Sequence, residues 1–227
     1  MQPSSLHFFP LALPFVLALF FLIAFWIISV EIGIFSYAYE KVGVDRRYVF
    51  SLLVLSLLGS YVNIPVAELP GEQILPGKEI YFFGMRYVVP MIERASKTVV
   101  AVNLGGAIIP TWLSLYLLVK KRLYGPAIVG VTIVAAIVHT MAQPVRGVGI
   151  AVPVFLPPLL AAAVAILLSR KSAPPLAYIC GSLGTLIGAD LLNLNKLQGL
   201  GAPVASIGGA GTFDGIFLTG ILAALLA

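Results

Sequence analysis

Asp190 and Asp214 stand in glycine-rich apolar surroundings, Gly184-Thr-Leu-Ile-Gly-Ala-Asp190-Leu-Leu-Asn193 and Gly208-Gly-Ala-Gly-Thr-Phe-Asp214-Gly-Ile-Phe. An acidic side chain inside a membrane span costs about 2.5–3.5 kcal/mol on insertion scales, and such residues mark ion pathways and proton relays. Carboxylates and amide carbonyls are hard oxygen ligands suited to Ca2+ or Mg2+. Asp190, Asn193, Asn195 and Asp214 supply that ligand type. Rings of acidic side chains in an oligomer also select cations. Gly208, Gly209 and Gly211 permit irregular backbone near Asp214, with carbonyls turned toward an ion. A helix starting near Thr212 holds Asp214 in its first turn, where the dipole favours an anion; Asp190, near a helix C-terminus, meets the opposite field. That asymmetry favours a cation between them.

Two other chemistries fit the same residues. A carboxylate pair sharing a proton activates water for peptide hydrolysis. Intramembrane aspartyl proteases of the presenilin and prepilin-peptidase class carry Gly-x-Gly-Asp, whereas Ile187-Gly188-Ala189 and Gly211-Thr212-Phe213 precede the aspartates here. The Tyr-Asp and Pro-Ala-Leu motifs of that class are absent too, which disfavours proteolysis. Alternatively, Gly184-x-x-x-Gly188 and Gly211-x-x-x-Gly215 are helix-packing patterns, and the aspartates are protonated hydrogen-bonding groups within the packing. Glu31, between Val30 and Ile32, either snorkels toward Arg46 or Arg47 or lines the inner end of a conduit.

The elements that must position these residues are membrane helices. The chain of 227 residues is 60% hydrophobic and 10% charged, with a mean hydropathy of +1.05; soluble domains are about 25% charged. Its continuous apolar runs exclude a β-barrel, whose strands alternate. A net charge of +5 does not indicate nucleic acid, because the basic residues sit in short loops between apolar runs, as topology signals do. The single cysteine, Cys180, excludes an intrachain disulfide, and His7 and His139 are too far apart in sequence to suggest a Cys/His metal cluster. Residues 1–10 hold no Lys or Arg, and the run from Leu11 to Val30 exceeds a signal peptide's apolar core, so no cleaved leader is expected.

The expected fold is all-α, a single polytopic helical domain over 1–227 with about seven transmembrane helices. The spans run near Leu11–Tyr39, Tyr48–Val66, Val99–Val119, Pro126–Gln143, Val152–Leu168, Leu176–Asn193 and Gly209–Ala227. Pro153, Pro157 and Pro158 suggest a kinked or re-entrant start to the fifth. Lys41, Arg46, Arg47, Lys120, Lys121, Arg122, Arg170 and Lys171 fall on alternate loops, which places the N-terminus outside and the C-terminus inside. An outer loop at about 67–97 contains Pro76-Gly77, read as a turn between two short extended pieces, and from Pro90 onward reads as an amphipathic helix entering the third span. This topology gathers Asn63, Asn103, His139, Thr140, Gln143, Asp190, Asn193, Asn195 and Asp214 at one depth in the outer half. Lipid cannot satisfy polar groups there, so they should face each other or water.

The blocks Gly184-Thr-Leu-Ile-Gly-Ala-Asp-Leu-Leu-Asn-Leu and Ser206-Ile-Gly-Gly-Ala-Gly-Thr-Phe-Asp-Gly-Ile-Phe-Leu-Thr-Gly resemble a family of uncharacterised archaeal and bacterial multi-pass membrane proteins, a domain of unknown function. The resemblance implies a helical membrane fold, supplies no established reaction, and points toward oligomeric cation handling with Asp190 and Asp214 as carried-over sites. The expectation is a non-enzymatic cell-membrane protein, a homo-oligomer, that binds and conducts cations with divalent ions such as Ca2+ preferred. Asp190 and Asp214 hold the ion, Asn193 completes the shell and Glu31 forms an inner constriction. No nucleotide-binding motif is present, so transport reads as passive or coupled to another gradient.

Overall fold

The computed structural model describes residues 13–70, 73–82, 85–93, 97–145, 149–197, 204–209 and 215–227. Asp214, together with Gly211 and Thr212 of the same block, lies outside these residues, as do His7, Glu72, Arg94 and Arg146.

The described chain is mostly helical. Its helices are α1 (Leu13–Val42), α2 (Arg46–Gly59), α3 (Ile109–Lys121), α4 (Tyr124–Met141), α5 (Leu156–Leu168), α6 (Ala173–Thr185) and α7 (Gly215–Leu226). Among the described residues three helical stretches are long and apolar enough to cross a membrane: Phe20–Val42, Tyr124–Met141 and Arg170–Lys196. The last is α6 extended by a 3-10 turn before it and by π and 3-10 segments after it. Helices α5 and α7 are apolar but shorter, 13 and 12 residues, where a span needs about 20. Pro157 and Pro158 do not kink α5. They occupy its first turn, where the missing N–H has no helical partner to lose.

Helix α6 is the axis of the bundle. Every residue from Pro175 to Ser182 is buried, and α1, α3, α4, α5 and α7 all pack on it. A helix apolar all round belongs in such an interior. Lipid offers little hydrophobic drive between helices, so close approach must supply the packing energy, and glycines make it possible on two sides. On the α4 side, Gly130 faces the Cys180 sulfur and Gly184 faces the Val134 side chain. On the α7 side, a methyl group on Gly181 would sit 3.1 Å from the Thr219 carbonyl and 3.3 Å from Gly220 Cα. The sequence pattern Gly184-x-x-x-Gly188 is therefore a seam between α4 and the α6 column.

Basic residues tie the helix ends at one pole of the bundle. Lys41 Nζ donates to the Leu225 carbonyl at 3.0 Å and Lys120 Nζ to the Gly43 carbonyl at 3.1 Å. Cations are favoured where helix carbonyls end. Arg122 closes α3 in the left-handed region, φ 52°, with its N–H reaching the Leu118 and Val119 carbonyls. Arg46 pairs with Glu40 at 3.2 Å and Arg47 with Asp45 at 3.7 Å, so neither meets Glu31.

At the other pole the chain departs from an all-α design. Strands β1 (Asn63–Pro70), β2 (Gln73–Phe82), β3 (Met85–Glu93) and β4 (Lys97–Asn103) precede α3; β5 (Gln143–Val145) and β6 (Gly149–Ala151) follow α4; and β7 (Val204–Ile207) precedes α7. They form a β1–β4–β7 sheet and two hairpins, β2–β3 and β5–β6. Pro76-Gly77 is not a turn: both extended pieces belong to β2, and the pair coincides with a register shift against β3 between Leu75 and Lys78. The helix expected from Pro90 onward is strand instead, and so is the outer start of the expected third span, because Lys97–Asn103 pairs with β1 on one side and β7 on the other. The expected second span likewise stops at Gly59 and continues as β1. Open sheet edges do not face hydrocarbon, which confines this layer to protein interior or water.

Candidate functional site

The sheet and two π-helical segments, Leu104–Ile108 and Leu186–Asp190, build one polar cluster. Register pairs Asn63 with Asn103 across β1 and β4. Asn103 Nδ2 donates to Asn63 Oδ1 at 3.1 Å and to the Ser60 carbonyl at 2.7 Å. Its Oδ1 accepts the Gly106 N–H at 2.8 Å, which caps the first π segment. Ser206 Oγ, on β7, donates to the same Asn63 oxygen at 2.5 Å. Two residues later the Gly208 N–H donates to Asp190 Oδ2 at 2.8 Å, joining the second π segment to the cluster.

Glycine is required where β7 ends. Gly208 has φ +72°, a left-handed conformation that favours glycine, and any Cβ there would strike Ala107 of the first π segment. Gly209 lies against Ser206 Oγ and, with a methyl group, would come 3.3 Å from Asn103 Cβ. The Gly208–Gly209 backbone is thus threaded between the Asn103–Ser206 group and Asp190. Single π turns inside α-helices recur at functional sites, and here both flank this backbone.

Asp190 is half-buried. Among the described residues it accepts one hydrogen bond, from Gly208, and no lysine, arginine or histidine pairs with it. It presents a carboxylate with capacity to spare, joined through the Gly208 backbone to the chain that carries Ser206, whose hydroxyl meets Asn63. Among the described residues no three His, Cys, Asp or Glu side chains gather, so a ligand set drawn from them joins the Asp190 carboxylate to neutral oxygens.

The sequence-predicted residues divide. Asn63 and Asn103 meet directly. Asn193 is fully buried, but its Nδ2 turns back to the Gly188 and Ala189 carbonyls, both at 2.9 Å, leaving its Oδ1 without a partner. It closes the helix end while keeping one acceptor available. Asn195 and Gln143 are exposed. His139 has a buried Nδ1 without a partner and no hydrogen bond into the cluster. Glu31 is exposed on α1, one turn beyond Phe35, whose ring packs on Phe217 near the start of α7, so it lies toward the sheet pole and not at the basic pole. Asp214 lies outside the described residues. Spacing does not single out Ser206, whose signal is a lone hydroxyl after the apolar Val204-Ala205; Gly208, expected to turn a carbonyl toward an ion, instead donates its N–H to Asp190. A separate cavity of about 250 Å³ between α3, α4 and α6, lined by Leu118, Ile128, Val131 and Leu183 among others, is apolar and carries no comparable chemistry.

Asn103→Ala is expected to destabilise the protein by about 1–3 kcal/mol, the usual cost of buried groups left unsatisfied, since the Ser60 carbonyl and the Gly106 N–H both lose their side-chain partner. Thermal unfolding in detergent checks this. A melting temperature equal to wild type would mean that water replaces the amide.

Residues 57–226 match a family model described as "Protein of unknown function (DUF1614)". The matched segment contains Asn63, Asn103, Asp190, Ser206 and Gly208 and leaves out α1 with Glu31. No curated protein matches the chain, and no solved structure does.

Proposed function

We propose that this chain, which belongs to the DUF1614 family, is a multi-pass cell-membrane protein that binds cations at Asp190 and conducts them, with divalent ions such as Ca2+ preferred. The observation that carries the reading is Asp190 itself: a carboxylate at the end of an apolar helix, held by a single described hydrogen bond beside the Asn63–Asn103–Ser206 cluster. Carboxylate, amide and hydroxyl oxygens are the ligand types Ca2+ takes. Asp214 would supply a second carboxylate and Asn193 Oδ1 a further oxygen.

The reading includes about seven spans, with the N-terminus outside and the C-terminus inside. The gathering of Lys41 and Lys120 at the pole opposite the sheet supports that orientation. It also includes a homo-oligomer. None of the described side chains from Phe20 to Tyr37 is buried, and Glu31 is among them. A lipid-facing carboxylate within a span is costly, so a second copy covering α1 would both bury that face and place Glu31 between chains.

A structure determined with Mn2+ in place of Ca2+ tests the site. The expected result is an anomalous peak at coordination distance from an Asp190 carboxylate oxygen. A saturating Mn2+ data set with no peak there would sink the reading.

A further inference from the structure

Along and against α6 lies a row of buried oxygens, Tyr39 Oη, Tyr178 Oη, Ser182 Oγ and Thr185 Oγ1, none with a hydrogen bond of ordinary length, in which Tyr178 faces both Tyr39 and Ser182. Their residues are 0%, 0%, 1% and 5% exposed. Helical serine and threonine usually return their hydroxyl to a carbonyl one turn back. Outward-facing residues of this chain do so: Ser29 donates to the Phe25 carbonyl at 2.7 Å and Thr132 to that of Ile128 at 2.8 Å. Ser182 and Thr185, in the interior, do not. A buried polar group left unpaired in a native fold asks for an explanation, such as water or a functional role.

The row is ordered. Tyr178, Ser182 and Thr185 are spaced i, i+4, i+7 and share one helix face. An α-helix continuing from Thr185 would bring Ala189 onto that face. The π segment Leu186–Asp190 bonds i to i+5 instead, which brings Asp190 nearer that face than an α-helix would. From Tyr178 to Asp190 the rise is roughly 18 Å at about 1.5 Å per residue. Below Tyr178 the row passes to α1, where the Tyr39 ring lies 6.3 Å from the Tyr178 ring. Tyr39 is two residues from Lys41, which anchors the basic pole. On the α7 side the row is walled by Gly220, which lies against Ser182 Oγ and, with a methyl group, would come 3.1 Å from the Tyr178 ring.

Helix α7 therefore packs directly against the row at this point. A hydroxyl both donates and accepts. Each member can take a proton on its oxygen as it releases its own to the next, so the row moves one proton end to end; every O–H then points the other way and rotates back before a second proton passes.

We propose that Tyr39, Tyr178, Ser182 and Thr185 form a proton path, through a single chain, between the basic pole and the outer polar cluster. The chemistry needs no oxidant or cofactor. The path rests on the cation reading only for the identity of its outer end, so the test measures the two separately.

The full chain is reconstituted in phosphatidylcholine liposomes enclosing a pH-sensitive dye, with the membrane potential clamped by K+ and valinomycin, and proton flux is followed after a pH jump. Mn2+ binding to the same preparations is measured in detergent. Wild type is expected to exceed protein-free liposomes. Thr185→Val, which keeps the shape and removes the hydroxyl, is expected to lower the flux at least tenfold, and Ser182→Ala likewise. Thr185→Ser, which restores the hydroxyl, is expected to keep most of it. Wild-type flux no greater than protein-free liposomes, Thr185→Val as active as wild type, or Thr185→Ser as inactive as Thr185→Val each overturns the path. Proton flux with this pattern but no Mn2+ binding overturns the cation reading and leaves the path standing.

Discussion

Asp190→Asn is expected to lower divalent-cation flux into liposomes at least tenfold while leaving the fold intact. Asparagine keeps an oxygen where Oδ2 accepts the Gly208 N–H at 2.8 Å, so the link between the second π segment and β7 survives and the charge alone is removed. Two unit charges about 4 Å apart at an effective dielectric of about 20 interact by about 4 kcal/mol, and about 1.4 kcal/mol is tenfold in an equilibrium constant. Even after a large offset for stripping water from the ion, a tenfold loss is a conservative expectation. A 45Ca2+ uptake assay on monodisperse protein reads it. Unchanged uptake would reassign Asp190 to packing, where a neutral amide serves as well as a protonated acid. Asp190→Ala makes a useful companion because it removes the acceptor as well; it should lose stability in addition to flux.

The second large effect concerns the support of that site. Gly188→Ala is expected to destabilise the protein by about 1–3 kcal/mol, the range for overpacking a close-packed interior. The added methyl would strike the Ala135 carbonyl oxygen and come 3.0 Å from Ala135 Cα and 3.1 Å from its carbonyl carbon. These are backbone atoms of α4, so no side-chain rotation relieves the contact, and the π segment must move away from α4. Asp190, two residues on, moves with it, so cation binding should weaken as well. Gly33→Ala is the matched control, since a methyl there meets nothing within 4 Å; mid-helix alanine is favoured over glycine by about 0.8–1 kcal/mol. Thermal unfolding of both variants in one detergent decides the matter. Equal melting temperatures would mean that α4 is not seated on Gly188.

Part of the site was legible before any tertiary contact was known. Asn63 and Asn103 could be assigned to one depth because they end neighbouring apolar runs on the same side, and they do meet, at 3.1 Å. That they meet through β-strands was not legible. Val99-Val-Ala-Val102 is an apolar run whether it continues a helix or pairs as a strand, and short apolar runs do not distinguish the two. Pro76-Gly77 reads as a turn locally, yet a β-strand accommodates the pair where its register shifts. Asn193 has the right chemistry for an ion ligand, but its amide nitrogen is claimed by carbonyls four and five residues back. The unpartnered hydroxyls of α6 were invisible for a related reason: a serine in an apolar helix ordinarily bonds to its own backbone, and only packing reveals that Ser182 does not.

The sequence by itself determined that this chain forms long apolar helices, that Asp190 is anomalous within one of them, and that the basic residues gather apart from the polar layer. Those properties are sums over neighbours along the chain, and hydropathy and charge add locally. The tertiary structure alone decided which atoms Asp190, Asn63 and Ser206 touch. Those contacts join residues 18, 40 and 143 positions apart. They depend on strand register and on one π turn that shifts the phase of a helix, and a hydrogen bond fails when either is displaced by a single residue.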